Sequence, residues 1–325
     1  MFTLLCMYEF ALPKVLKQYG VDYCQIFPSQ KGYRNEIWPV LTSDGRMLNV
    51  TFYKREPGIV ERIHRADAVS EYLAKQGMPA RVRADQRILS LKNENSTTYI
   101  NLYEYLPGNT IPWEAYTMKR IKLLGSTMSN MHANLSAMPY CNFPSVYDEY
   151  LQIIDRMTRY FSKNEVENAI AEKLKIKINL KCLAAYAELL KKNQETSNQQ
   201  VLHMDFVRGN ILFEGDEISG ILDFEKTSVG YPIMDIARTL AFLLVDCKYK
   251  TNQKVEKYFL YSGYQKRGQN KDIGNDNDRN QLVQMFLAYD FYKFLIHNPY
   301  ESLHLNEHYV RTRDMLVKCG VILYR

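Results

Sequence analysis

Several classes of function are excluded by what this sequence lacks. Its six cysteines (Cys6, Cys24, Cys141, Cys182, Cys247, Cys319) stand far apart with no Cys-x-x-Cys pair. That spacing draws neither a zinc site nor a disulfide frame, and reduced thiols are expected. The most apolar late run, Ile236–Val245, is too short to span a bilayer and contains Arg238. Residues Met1–Phe10 are apolar but carry Glu9, with no basic n-region or small-residue cleavage site. A cytoplasmic protein without a membrane partner is therefore expected. Neither sign of charge dominates: 42 basic against 36 acidic residues give a net charge of +6. The basic residues are spread along the chain, which is no footprint for nucleic acid. His132 has no second histidine at metal-ligating spacing, and Asn275-Asp276-Asn277-Asp278 lacks the later glutamate of a calcium loop. Repeats and low-complexity tracts are absent.

What is present is concentrated in one stretch. Val201-Leu202-His203-Met204-Asp205-Phe206-Val207-Arg208-Gly209-Asn210-Ile211-Leu212-Phe213 sets a polar loop between two apolar runs. Gly220-Ile221-Leu222-Asp223-Phe224-Glu225 follows shortly after. The spacing His-x-Asp-x-x-x-x-Asn followed by Asp-Phe-Glu matches the catalytic loop and metal-binding segment of protein kinases. Phosphoryl transfer needs positioning and charge neutralisation more than covalent help. In that chemistry Asp205 would accept or orient the proton of an attacking hydroxyl. Asn210 and Asp223 would hold Mg²⁺ through hard oxygens. His203 would fix the loop by hydrogen-bonding backbone near the Asp223 strand, and Gly209 would permit a tight approach or an unusual dihedral before the amide.

Before this stretch the pattern is β-rich. A short helix over about 12–19, stopped by Gly20, precedes strands over 22–28, 36–41 and 46–54, the last two joined at Ser43-Asp44-Gly45. The turn over 31–35 has a single glycine, Gly32, where backbone N–H groups would cover the nucleotide phosphates. The third strand should present a cation to those phosphates. Thr51 stands where a lysine would be expected, and of Lys54 and Arg55 at the strand's end Lys54 is the preferred candidate. Residues 58–76 have helical spacing and end at Gly77; Glu61, Asp67 and Glu71 are candidates to pair with the cation. Two further strands, 87–91 and 98–105, lead to Pro107-Gly108, after which the pattern turns helical. A hinge at Tyr103–Leu106 would offer backbone groups, including those of Tyr103 and Tyr105, to an adenine edge. This divides the chain into a nucleotide-binding lobe, 1–105, and a helical lobe, 106–325, with the catalytic loop and acceptor site.

In the second lobe, helices are expected over 113–135, 146–161, 165–192, from Pro232 to about 247, and over 255–263, 279–297 and 307–320. His132 reads as a packing histidine. Asp235 reads either as a helix cap or as a hydrogen-bonding support for the catalytic loop. Tyr289-Asp290-Phe291-Tyr292 would form either a core-facing helix or a wall for a cationic amine.

The segments His203-x-Asp205-x-x-x-x-Asn210, Ile221-Leu222-Asp223-Phe224-Glu225 and Gly230-x-Pro232-x-x-Asp235-Ile236-Ala237, with Leu124 and Met131-His132 upstream, resemble the aminoglycoside phosphotransferase and choline kinase superfamily. The likeness extends over about 21–244. It implies an α+β, bilobal protein-kinase-like fold: an N-lobe of antiparallel sheet plus helix and a mainly helical C-lobe. It further implies Mg²⁺ with ATP or GTP, Asp205 as base, Asn210 and Asp223 as metal ligands, and a hydroxylated small molecule as acceptor. No Ala-Pro-Glu motif follows Asp223, and the segment from Glu225 to Tyr231 is too short to hold a peptide substrate. The competing expectation is a weakly active or inactive kinase-fold protein with a structural or regulatory role, of spore-coat type.

Overall fold

The computed structural model describes residues 2–31, 35–53, 55–93, 96–139, 142–196 and 198–324. The architecture is α+β, and the chain divides into two compact units. One comprises Met1–Gly108 with Ser219–Glu225; the other comprises Asn109–Ile218 with Lys226–Arg325.

In the first unit, helix α1 (Phe2–Tyr19) precedes strands β1 (Tyr23–Ile26), β2 (Gln30–Lys31), β3 (Asn35–Thr42) and β4 (Met47–Tyr53). Helix α2 (Ile59–Lys75) then leads to β5 (Leu89–Asn93) and β6 (Ser96–Glu104). The strands form one antiparallel sheet in the order β1-β3-β4-β6-β5, with β2 also paired to β3. The expected β3–β4 hairpin forms with Val40 opposite Leu48, and Gly45 at φ +87° makes its turn possible. Because side chains alternate along a strand, each face has its own composition. Val50, Phe52, Ile100 and Leu102 join Leu12, Val15 and Leu16 of α1 in an apolar cluster. Tyr53 and Tyr103, of opposite parity, pack against Ile59 and Ile63 of α2. One face is thus a dry core, while the other carries Thr51, Tyr53, Asn101 and Tyr103, where polar chemistry can be built.

The second unit is mainly helical: α3 (Met118–Leu135), α4 (Val146–Phe161), α5 (Asn164–Leu174), α6 (Leu180–Gln194), α7 (Ile233–Asp246), α8 (Asn252–Glu256), α9 (Asp276–His297) and α10 (Glu307–Lys318). Short strands stitch it together. Strand β8 (Gln200–Leu202) pairs with β11 (Ser228–Gly230), and β7 (Ile176–Ile178) pairs with β12 (Ile322–Tyr324). Strand β9 (Ile211–Glu214) completes the set, and β10 (Glu217–Ile221) carries the chain into the segment of the first unit that begins at Ser219. The single helix expected over 165–192 is broken. Lys175 takes φ +57°, and Ile176-Lys177-Ile178 is drawn into the pairing with β12. A partner far along the sequence overrides local helical spacing there. The Asn275 cluster is no calcium loop: its side chain caps α9 by accepting the Asp278 N–H at 2.8 Å. Among the described residues the thiols of Cys24, Cys182 and Cys319 are free, Cys247 is buried, and no helix is long and apolar enough to cross a membrane.

Helix α3 is pressed onto a π-helical segment, Lys257–Gln265, at two facing glycines. A Cβ on Gly125 would stand 2.1 Å from the Phe259 carbonyl oxygen, and one on Gly263 would stand 2.6 Å from that of Lys122. Backbone cannot yield as a side chain can, so Gly125→Ala is expected to cost about 1–3 kcal/mol or more. A denaturant titration checks this: the midpoint falls while the slope stays constant. An unchanged midpoint contradicts the close approach.

Candidate active site

Pairing of β8 with β11, Leu202 opposite Ser228, ends the chain's extended run just before His203. The loop that follows is built by backbone bonds: Val207 N–H donates to Asp205 O at 2.8 Å and Asn210 N–H to Val207 O at 2.9 Å. Met204 sits at φ +56°, a conformation that costs a non-glycine residue about 1–3 kcal/mol unless its surroundings impose it. Helix α7 imposes it. The Asp235 carboxylate accepts the N–H groups of His203 at 2.9 Å and Met204 at 3.0 Å. Of the two readings of Asp235, support of the catalytic loop is the one realised.

Residues three and four along from Asp235 share its helix face. Arg238 Nη2 donates to Asp205 Oδ1 at 3.0 Å, and Thr239 Oγ1 donates to Phe206 O at 2.9 Å. One turn of α7 therefore holds the amides, the side chain and a carbonyl of the same loop. Asp235 is itself braced by His132 of α3, whose Nε2 lies 3.2 Å from Asp235 Oδ2 and whose Nδ1 lies 2.7 Å from Tyr264 Oη. Burial alone would raise the pKa of Asp235, but the hydrogen bond and charge of His132 outweigh it and hold the carboxyl below its usual range. The packing role expected for His132 is correct and extends to this brace. His203 is fully buried, and its Nδ1 accepts the Asp205 N–H at 3.1 Å. Gly209 needs neither of the freedoms expected of it: its φ is not left-handed, and an added Cβ would meet nothing within 4 Å.

The Asp205 side chain is 11% exposed and meets two cations on one oxygen, Lys226 Nζ at 2.6 Å and Arg238 Nη2 at 3.0 Å from Oδ1. Arg238 is fixed in turn by the Tyr150 hydroxyl at 2.9 Å. Burial would raise the Asp205 pKa; the charges of Lys226 and Arg238 outweigh it and hold the carboxyl far below the usual range. The Asn210 amide nitrogen donates to Asp205 O at 2.9 Å and to Oδ2 at 3.0 Å. Both neighbours are acceptors, so the NH₂ end must face Asp205. The amide oxygen is left turned the other way, as a hard donor fit for a divalent cation.

In the first unit, Asp223 adopts φ +57°, and its Oδ1 accepts the Glu225 N–H at 3.4 Å. Tyr103 lies inside the sheet between Asn49 and Arg83, with its hydroxyl donating to Asp67 at 2.8 Å. Tyr105 follows the strand end, and its N–H is spent on Met47 O at 3.3 Å. Gly32 and Lys54 lie outside the described residues. The amine wall imagined at Tyr289–Tyr292 is otherwise engaged: Phe291 is core, while Asp290 pairs with His308 at 2.8 Å and Lys293 at 2.7 Å.

Sequence reasoning missed Lys226 and Arg238 as partners of Asp205. Arg238 had a signal, since an arginine in an otherwise apolar helix, three residues from Asp235, needs an anion. Lys226 had none. A depressed carboxyl pKa gives stability that is present above the unfolded value, about 3.9, and lost as pH falls through the folded one. Lys226→Met is therefore expected to lower Tm near neutrality, with the gap to the native protein closing below about pH 4. Melting curves across pH check this; a gap independent of pH contradicts it.

The chain matches the family model of the phosphotransferase enzyme family, APH, over residues 27–247. It is 22% identical over 204 residues to a homoserine kinase of Zymomonas mobilis subsp. mobilis, a match covering 62% of this chain and 59% of that kinase's length. Its fold is similar to that of the amicoumacin kinase hAmiN in complex with AMP-PNP, Ca²⁺ and Ami, with a TM-score of 0.68 and 14% identity over 95% of this chain and 94% of the other. It is also similar to spectinomycin phosphotransferase in complex with ADP and its antibiotic, with a TM-score of 0.58 and 15% identity over 94% and 93% of the chains. The family match over two thirds of the sequence leads to one conclusion: this chain belongs to the APH phosphotransferase enzyme family.

Proposed function

We propose that the protein transfers the γ-phosphoryl group of ATP or GTP, with Mg²⁺, to a hydroxyl of a small molecule such as an aminoglycoside, an amino alcohol or a sugar. Residues 1–105 serve the nucleotide, and residues 106–325 carry the catalytic loop and the acceptor site. The observation that carries this reading is the Asp205 carboxylate, buried yet kept anionic by Lys226 and Arg238, with the Asn210 amide turned beside it.

A carboxylate so strongly stabilised is a weak base but a firm hydrogen-bond acceptor. In a loose transition state the attacking hydroxyl needs orientation early and gives up its proton late. Asp205 fits that demand, aligning the hydroxyl and receiving its proton as the new P–O bond forms. Asn210 Oδ1 and the Asp223 carboxylate would supply hard oxygens for Mg²⁺, a cation that draws on few protein groups. The metal neutralises charge on the phosphates. His203 and Asp235 keep the loop in register. The ligands bound by hAmiN, AMP-PNP and Ami, and by spectinomycin phosphotransferase, ADP and spectinomycin, support a nucleotide and a small-molecule acceptor for this chain as well.

A panel of hydroxylated amines and sugars, assayed for nucleotide consumption with Mg-ATP and Mg-GTP, tests the reading. Asp205→Asn keeps the shape of the side chain and should lower turnover about 10²–10⁴-fold with its melting temperature monitored alongside. Near-native turnover in that variant contradicts the role assigned to Asp205.

A further inference from the structure

Phosphate binding in kinase-like folds calls for a cation paired with a carboxylate on the helix after the third strand. On β4 the expected position is Thr51, 2% exposed and opposite Asn101 in the sheet register. Its hydroxyl cannot serve as that cation. The helix carboxylate, however, is present and unambiguous. Of the three acids considered on α2, Asp67 is 1% exposed, and it accepts Tyr103 Oη at 2.8 Å and Asn101 Nδ2 at 2.9 Å.

Its cation arrives from the segment after the helix. Arg81 Nη2 lies 3.5 Å from Asp67 Oδ1 and 3.5 Å from the Tyr53 hydroxyl. The guanidinium lies over the Tyr103 ring, Cζ being 3.7 Å from its centroid. Both polar contacts engage a single nitrogen, Nη2, while Nε is buried out of reach of a ligand. Arg83 also approaches Asp67, its Nε 3.6 Å from Oδ2, but makes its closer bonds to Glu71, at 2.7 Å and 3.2 Å. The Glu225 carboxylate adds to the field that keeps Arg81 charged. A guanidinium held on one side by a carboxylate is a cation suited to phosphate oxygens.

The backbone sets the same residue beside the metal-binding motif. Ala80 bridges Ile221 in parallel, and the Ile221 N–H donates to Pro79 O at 2.7 Å. Arg81 leaves one of these adjacent segments one residue after the bridge, and Asp223 leaves the other two residues after it.

We propose that Arg81, positioned by Asp67, grips the α- and β-phosphates of the nucleotide in place of a strand lysine. The proposal rests on the kinase reading above. The competing account makes Arg81 a tie between α2 and the sheet with no part in binding.

Calorimetric titration of the intact chain with Mg-ATP, Mg-ADP and adenosine, and with the guanine series, separates the two. Arg81→Met should weaken Mg-ATP and Mg-ADP alike, about ten- to hundredfold, and leave the nucleoside unchanged. The double variant Thr51→Lys/Arg81→Met, which returns a cation to β4, should recover most of the lost affinity. Native affinity of a folded Arg81→Met variant for Mg-ADP overturns the proposal while leaving the kinase reading intact. A native protein that binds none of these nucleotides overturns both. Should Arg81→Met fail to fold, the double variant decides: recovered binding supports the proposal, and a folded double variant without binding overturns it.

Discussion

The loop over residues 203–206 is held in place by one turn of helix α7. Asp235, Arg238 and Thr239 lie on a single helix face and engage, respectively, two amides, a carboxylate and a carbonyl of residues 203–206. A loop with a left-handed methionine in its middle would relax elsewhere if any of these bonds were exchanged for water. Burial makes the arrangement costly to disturb. Removing one partner of a buried ion pair typically costs about 3–5 kcal/mol, because the other charge is left uncompensated. Rigidity at this point has a chemical use, since phosphoryl transfer depends more on where groups stand than on what they donate.

Two cations on Asp205 also shape its chemistry. They trade basicity for a permanent negative charge, so the carboxylate holds the same form from mildly acidic to alkaline pH. The Asn210 amide completes the pattern, because its nitrogen has no neighbour other than acceptors and its oxygen is thereby oriented. The polar face of the sheet follows a related rule: a buried acid, Asp67, collects Tyr103, Asn101 and Arg81 around it rather than the lysine that spacing along β4 calls for.

The loop over 203–210 could be placed from sequence because the spacing of His203, Asp205 and Asn210 sets it between two apolar runs, and the structure brings Asp205 and Asn210 into contact there, with Asp235 beneath the loop as one of its two readings had it. Strands β3 and β4 were legible through period-2 alternation and the Asp44-Gly45 turn. Other features depended on distant partners. Strand β7 exists because the chain's last strand pairs with it, and nothing local marks Ile176–Ile178 as extended. Lys226 meets Asp205 across 21 residues of sequence, and Arg81 meets Asp67 across a helix end, so neither pair follows a local period. On α9 the two readings of the aromatic run turn on what balances Asp290: His308 from a distant segment and Lys293 one turn along the helix.

Diffraction from crystals grown with Mn²⁺ and AMP-PNP tests the central claim most directly, because the anomalous signal of manganese locates the metal without ambiguity. The account predicts a nucleotide-bound metal ligated by Asn210 Oδ1 and the Asp223 carboxylate. A metal–nucleotide complex seated elsewhere, with Asn210 and Asp223 both free of it, would contradict it.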